Sequence, residues 1–132
     1  MFITFEGGEG SSKTTQSRLL SNYLTSIGVE NILTREPGGT NFGERFRDLI
    51  LHNEVEPMTE LLAMMAGRNE HIQKVIKPSL AQGKVVICDR FVDSSACYQT
   101  QNSQIKIERV YDLHRNIFGN FMPDLTILLD LE

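Results

Sequence analysis

The first sixteen residues impose an order that few folds accommodate. An apolar run over residues 1–5 leads into a turn carrying Gly7, Gly8 and Gly10, and Lys13-Thr14-Thr15 then opens a segment of helical periodicity. A short run that is apolar on both faces suits a strand covered on both sides, and a strand passing through a tight glycine turn into a helix is the first half of a βαβ unit. The stretch FEGGEGSSKTTQ follows the spacing G-x-x-x-x-G-K-[ST] through Gly7, Lys13 and Thr14, except that Ser12 stands where the pattern has glycine.

Such a turn aims successive backbone N–H groups, and the positive end of the helix, at an anion. The expected ATP-binding stretch is therefore Gly7, Gly8, Glu9, Gly10, Ser11, Ser12, Lys13, Thr14 and Thr15. Lys13 would reach the terminal phosphates and the Thr14 hydroxyl would help hold Mg²⁺. On its own the stretch has a second explanation, a glycine-rich turn in which Ser11 or Ser12 caps the helix, and that predicts the same secondary structure. Ser12 also brings a Cβ to a position that is strained if its φ is positive.

The alternation continues along the chain. Apolar runs over 29–33, 85–88 and 125–131 are expected strands. Helices are expected over 13–27 with a stop at Gly28, over 42–51, over 59–80 with Pro78 kinking or shortening it, and from about 94 and 105. The first should bury Leu19, Leu20, Tyr23, Leu24 and Ile27. One α/β domain over 1–132 follows, a parallel sheet flanked by helices on both faces. Its last strand, PDLTILLDL, reads as an inner strand with no helix after it, so the chain is expected to continue or to be a fragment, with the C-terminal part of the fold missing.

A net charge of −4 and the lack of a Lys/Arg-rich tract argue against a broad basic face, so no nucleic-acid partner is expected and an anionic ligand must meet local charge. No run approaches the roughly 18 apolar residues of a membrane span, and no leader-like segment opens the chain; a cytoplasmic protein without a membrane partner is expected. Cys88 and Cys97 have the spacing of neither a redox pair nor a zinc site and are expected as small buried residues.

Polar groups collect at the carboxyl ends of the expected strands, the edge where open α/β sheets bind ligands. TREPGGT places Arg35, Glu36 and Pro37 there; VVICDR ends on Asp89, suited to a Mg²⁺-associated carboxylate, and Arg90, suited to clamping a phosphate. Arg47 offers a second cation for a phosphorylated acceptor. Met64 with Arg68, Ser94 with Tyr98, and Ser95 with Gln99 are i,i+4 pairs able to line a planar base. The plainer alternative puts Met64 and Tyr98 in the core and leaves Arg68 and Gln99 solvated.

Taken in order, FEGGEGSSKTTQ, TREPGGT, GERFRDLIL, DRFVDSSACYQ and PDLTILLDL resemble the thymidylate kinase family, P-loop nucleoside monophosphate kinases that phosphorylate dTMP to dTDP with ATP and Mg²⁺ for dTTP synthesis. The resemblance implies Lys13, Asp89 and Arg90 as catalytic residues, Thr14 and Asp89 at the metal, Glu9 near the acceptor 3′-hydroxyl, and Arg47 with Arg90 on the dTMP phosphate. It implies acceptor contacts from Glu36, Pro37 and Met64, thymine-edge hydrogen bonds from Arg68 and Gln99, and a base pocket lined by Ser94 and Ser95. Tyr98 would lie against the sugar and disfavour a ribonucleotide. A homodimer is implied as well, with Leu61, Leu62, Met64 and Met65 as candidates for its face.

Three departures qualify the likeness: Ser12 in the loop, Met64 where the family usually stacks an aromatic ring on thymine, and an end at Glu132 before the family's lid. Family members carry a catalytic arginine in the loop or in the lid, and Gly10 at the loop position implies the lid type. A chain ending at Glu132 is then expected to be a poor kinase. The alternatives are another nucleoside monophosphate kinase, a nucleotide-binding domain without efficient turnover, or a purely structural α/β domain.

Overall fold

The computed structural model describes residues 1–131. The elements run β1 (Phe2–Gly7), α1 (Lys13–Ser26), β2 (Asn31–Arg35), α2 (Asn41–His52), α3 (Pro57–His71), a π-helical segment (Ile72–Ile76), α4 (Lys77–Ala81), β3 (Val85–Asp89), α5 (Val92–Tyr98), α6 (Ile107–Phe118) and β4 (Leu125–Leu129). All strand pairs are parallel, in the order β2-β3-β1-β4. Register aligns the functional edge: Asp89 pairs with Phe5 on one side and with Arg35 on the other, so β1, β2 and β3 deliver their carboxyl ends to one level.

Both faces of the sheet are covered, as the uninterrupted apolar runs require. Phe2, Val86 and Cys88 pack with Leu61, Met65, Ile72, Ile76, Phe91 and Val110 on one face. Ile3, Phe5 and Ile87 meet Leu20 and Leu24 of α1 on the other. The first helix is narrower in its apolar contact than its sequence suggests, because Leu19, Tyr23 and Ile27 are exposed. Its inward line runs through Lys13, Ser17, Leu20 and Leu24, so two polar residues at the loop end set the helix's rotation and leave the other apolar positions outside.

The helix expected over 59–80 is interrupted rather than kinked open. Pro78 has no N–H to return to residue 74, and the chain widens one turn beforehand, with the Lys77 N–H bonding the Ile72 carbonyl five residues back. Pro78 then occupies the first turn of α4, where no donor is required. Cys88 is buried, but Cys97 is exposed, correcting the expectation for that residue. β4 ends at Leu129 and, among the described residues, lies at the sheet edge with Leu125 and Leu128 exposed. No helix among the described residues is long and apolar enough to cross a membrane.

Candidate functional site

The loop between β1 and α1 is shaped by backbone conformation. Gly7 has φ 146 and an added Cβ there would collide with the Leu129 carbonyl oxygen, so only glycine lets β4 approach. Ser12 sits at the helix N-cap with φ 66, in the left-handed region where glycine is at home, and its side chain makes no cap bond. That removes Ser12 from the capping explanation. The Ser11 hydroxyl donates to the Gly8 carbonyl at 2.7 Å instead. Lys13 is buried, and its Nζ donates to the carbonyls of Gly7 at 2.8 Å and Gly8 at 2.6 Å, with Ser11 Oγ at 3.2 Å.

The loop forms one wall of a cavity of about 920 Å³. Glu9, Gly10, Ser12, Lys13 and Thr14 reach it, whereas Gly7, Gly8, Ser11 and Thr15 do not line it. Thr14 Oγ1 donates to Asp89 Oδ2 at 2.7 Å, while Asp89 Oδ1 is buried with no hydrogen-bond partner. A hydroxyl and a carboxylate with an unsatisfied oxygen on a cavity wall fit a hard cation such as Mg²⁺. Among the described residues no cluster of three His, Cys, Asp or Glu side chains could hold an ion alone, a donor set suited to a cation that keeps water or phosphate ligands.

Cations crowd the remaining walls. Arg35 pairs with Glu44 at 2.8 Å, and Glu44 also accepts the Gly39 N–H at 3.1 Å. Arg47 donates to the Pro37 carbonyl at 3.0 Å; burial, and then the charges of Arg35 and Arg90, push its pKa down from the ordinary arginine value. Arg90, with φ 72, places its guanidinium 4.9 Å from the centre of the Tyr98 ring. The helix α2 begins beside these groups, where the Thr40 hydroxyl accepts from the Gly43 N–H at 2.9 Å. Arg47 and Arg90 have no carboxylate partner among the described residues and, together with a helix start, can bind clustered phosphate oxygens.

A buried polar network forms part of the cavity's back wall. Glu36 Oε1 accepts from Arg68 Nε at 2.6 Å, and Oε2 lies 2.7 Å from His71 Nδ1. Arg68 Nη2 donates to Ser95 Oγ at 2.9 Å, and His71 Nε2 lies 2.6 Å from Thr34 Oγ1. Burial alone would raise the Glu36 carboxyl, but the Arg68 charge and His71 outweigh it and hold it below the usual range. Glu36 and Arg68 also border a small crevice shared with Pro37, Met64 and Gly67.

The expected acceptor residues thus divide. Arg68 is buried, not solvated, and so is Gln99, whose Nε2 donates to Glu60 at 3.1 Å while its Oε1 has no partner. Ser94 and Ser95 line neither the cavity nor the crevice, because the Ser94 hydroxyl donates to Glu6 and that of Ser95 accepts from Arg68. Tyr98 is partly exposed beside Arg90, and Met64 is half-buried in the crevice wall.

Sequence reasoning passed over Glu6, Thr34 and His71. Glu6 is buried at the end of β1, accepts the Phe91 N–H at 2.8 Å, and has its pKa raised by desolvation. Its signal was a carboxylate closing an apolar strand, a group that must find donors if buried. His71 stands three residues after Arg68, on the same helical face.

The family model described as thymidylate kinase matches residues 5–132. A thymidylate kinase of Rickettsia bellii (strain OSU 85-389) is 51% identical over 131 residues, 99% of this chain and 64% of that protein. One of Orientia tsutsugamushi (strain Ikeda) is also 51% identical, over 99% of this chain and 60% of its own length. The crystal structure of thymidylate kinase from Ehrlichia chaffeensis matches with a TM-score of 0.92 at 45% identity, covering 100% of this chain and 77% of that one. The chain spans 64% and 60% of the length of the two curated relatives.

Proposed function

Because this chain belongs to the thymidylate kinase family, we propose that it takes part in phosphorylating dTMP to dTDP with ATP and Mg²⁺. The observation that carries the reading is the convergence of Lys13, Asp89, Arg90 and Arg47 on one cavity at three aligned strand ends. Phosphoryl transfer needs little covalent help from a protein; it needs two phosphates held in line and compensated charge.

In this reading the loop from Gly7 to Thr15 holds the donor phosphates through its N–H groups, and Lys13 exchanges the carbonyls of Gly7 and Gly8 for phosphate oxygens. Arg47 and Arg90 grip the acceptor phosphate, and Glu9, on the cavity wall, lies toward the acceptor 3′-hydroxyl. Thr14 and Asp89 would hold Mg²⁺, which when bound neutralises phosphate charge. Arg68 and Gln99 serve the thymine edge, Met64 and Pro37 supply an apolar wall, Glu36 braces Arg68, Tyr98 faces the sugar, and Ser94 and Ser95 support the wall behind. A cytoplasmic homodimer that binds neither nucleic acid nor membrane completes the proposal.

Initial rates with dTMP, dUMP, dCMP and dGMP under saturating ATP and Mg²⁺ test it, with dTMP expected to be fastest. Faster turnover of dCMP or dGMP would move the assignment to another nucleoside monophosphate kinase. Calorimetric binding of both nucleotides without product would favour a nucleotide-binding domain, and no ATP binding would remove the role given to Lys13.

A further inference from the structure

Glu36, Arg68 and His71 are 3%, 1% and 0% exposed, and a charged group is sealed this way only if every partner is in place. We propose that His71 is a positioning residue for acceptor recognition: it holds Glu36 from behind and so fixes the direction of the Arg68 guanidinium. The proposal rests on the dTMP reading above.

Glu36 divides its two oxygens, one to Arg68 Nε and one to His71 Nδ1. With His71 Nδ1–H donating to the carboxylate, Nε2 is left to accept the Thr34 hydroxyl hydrogen, so one tautomer satisfies both ends of the ring. Gly39 leaves room for the Nε2 edge of the ring, which a Cβ there would strike. A guanidinium is planar, and anchoring Nε on Glu36 and Nη2 on Ser95 sets where Nη1 points. Nη1, whose hydrogen-bond partner is Met65 Sδ at 3.8 Å, is the nitrogen best placed to donate to an acceptor base. Without His71, one Glu36 oxygen loses its partner and the carboxylate can rotate, taking Arg68 with it. Thr34 and Glu36 also line the large cavity, so the chain Thr34–His71–Glu36–Arg68–Ser95 joins the phosphate side to the base side.

Two substitutions separate positioning from mere packing. In His71→Asn the amide nitrogen replaces Nδ1 and can still donate to Glu36; in His71→Gln it replaces Nε2, reaches Thr34 and abandons Glu36. Calorimetry on the full chain should show dTMP affinity falling about tenfold in His71→Gln and mostly restored in His71→Asn, with ATP affinity changed less than about twofold in both. Hydrogen exchange of the Arg68 Nε–H, followed by NMR, should accelerate only in His71→Gln. Equal behaviour of the two variants, or parallel weakening of ATP and dTMP, would overturn the proposal. Wild-type protein that binds no dTMP, yet loses Arg68 Nε–H protection in His71→Gln alone, would defeat the functional reading while supporting the positioning of Arg68. Unchanged protection in both variants would overturn the positioning whatever dTMP does.

Discussion

The two ends of the site are held by opposite means. The loop from Gly7 to Thr14 is built from neighbours in sequence, through backbone conformations at Gly7, Gly10 and Ser12 and through Lys13 bonding to carbonyls five and six residues away. The Glu36–Arg68–His71 network is built from side chains brought together across 27 to 37 residues, with its three ionisable members buried. The difference teaches that the loop, proposed above to hold phosphates, can trade its internal hydrogen bonds for those of a ligand, because the acceptors of Lys13 include backbone carbonyls. The buried end can lose no member without stranding a charge or a donor.

The sharpest way to break that contrast is Glu36→Ala, which leaves the Arg68 guanidinium buried without its counter-charge. A loss of about 3–5 kcal/mol is expected in urea denaturation. A loss below about 1 kcal/mol would mean that the network does not carry the load assigned to it.

A pH series on Glu36→Gln sharpens the same point. The Glu36 carboxyl is held below its ordinary value, so its stabilisation is present above that value and disappears as pH falls through the folded-state one. The stability gap between wild type and Glu36→Gln should therefore be widest near neutrality and shrink as the solution is acidified. Glu6 runs the other way: its raised pKa gives stabilisation that is present in acid and lost as pH rises through the folded-state value. Glu6→Gln should therefore compare more favourably with wild type at pH 7 than at pH 4.

At the loop the expected effect is smaller and of opposite sign. Ser12→Gly removes the left-handed penalty at φ 66 and should stabilise the fold by about 1 kcal/mol. A destabilised variant would show that the Ser12 side chain contributes something its hydrogen bonds do not reveal.

This contrast also explains what could be read from the sequence. The loop was legible because residue spacing there is spatial spacing: Gly7, Ser12, Lys13 and Thr14 fall where the motif puts them, and the serine stands at the φ that the missing glycine would have relieved. Asp89 and Arg90 were legible because an apolar strand announces its own carboxyl end. Glu6 was not, since its partners Phe91 and Ser94 lie 85 and 88 residues away. His71 reads as an ordinary helical residue until β2 brings Thr34 and Glu36 against it. The inward face of α1 was legible in part: Leu20 and Leu24 pack on the sheet as expected, but Lys13 and Ser17 also point inward and Leu19, Tyr23 and Ile27 are left outside. The third helix was legible nearly to its bounds, helical residues running from 57 to 81, but the π turn that absorbs Pro78 was not.

The most direct test of a two-ended site is a crossed titration of ATP with Mg²⁺, and of dTMP, against Lys13→Ala and Arg68→Lys. Arg68→Lys keeps the charge but removes the planar fork. Lys13→Ala should weaken ATP by about tenfold or more and leave dTMP within about twofold, and Arg68→Lys should do the reverse. Either substitution weakening both nucleotides to the same extent would contradict the account.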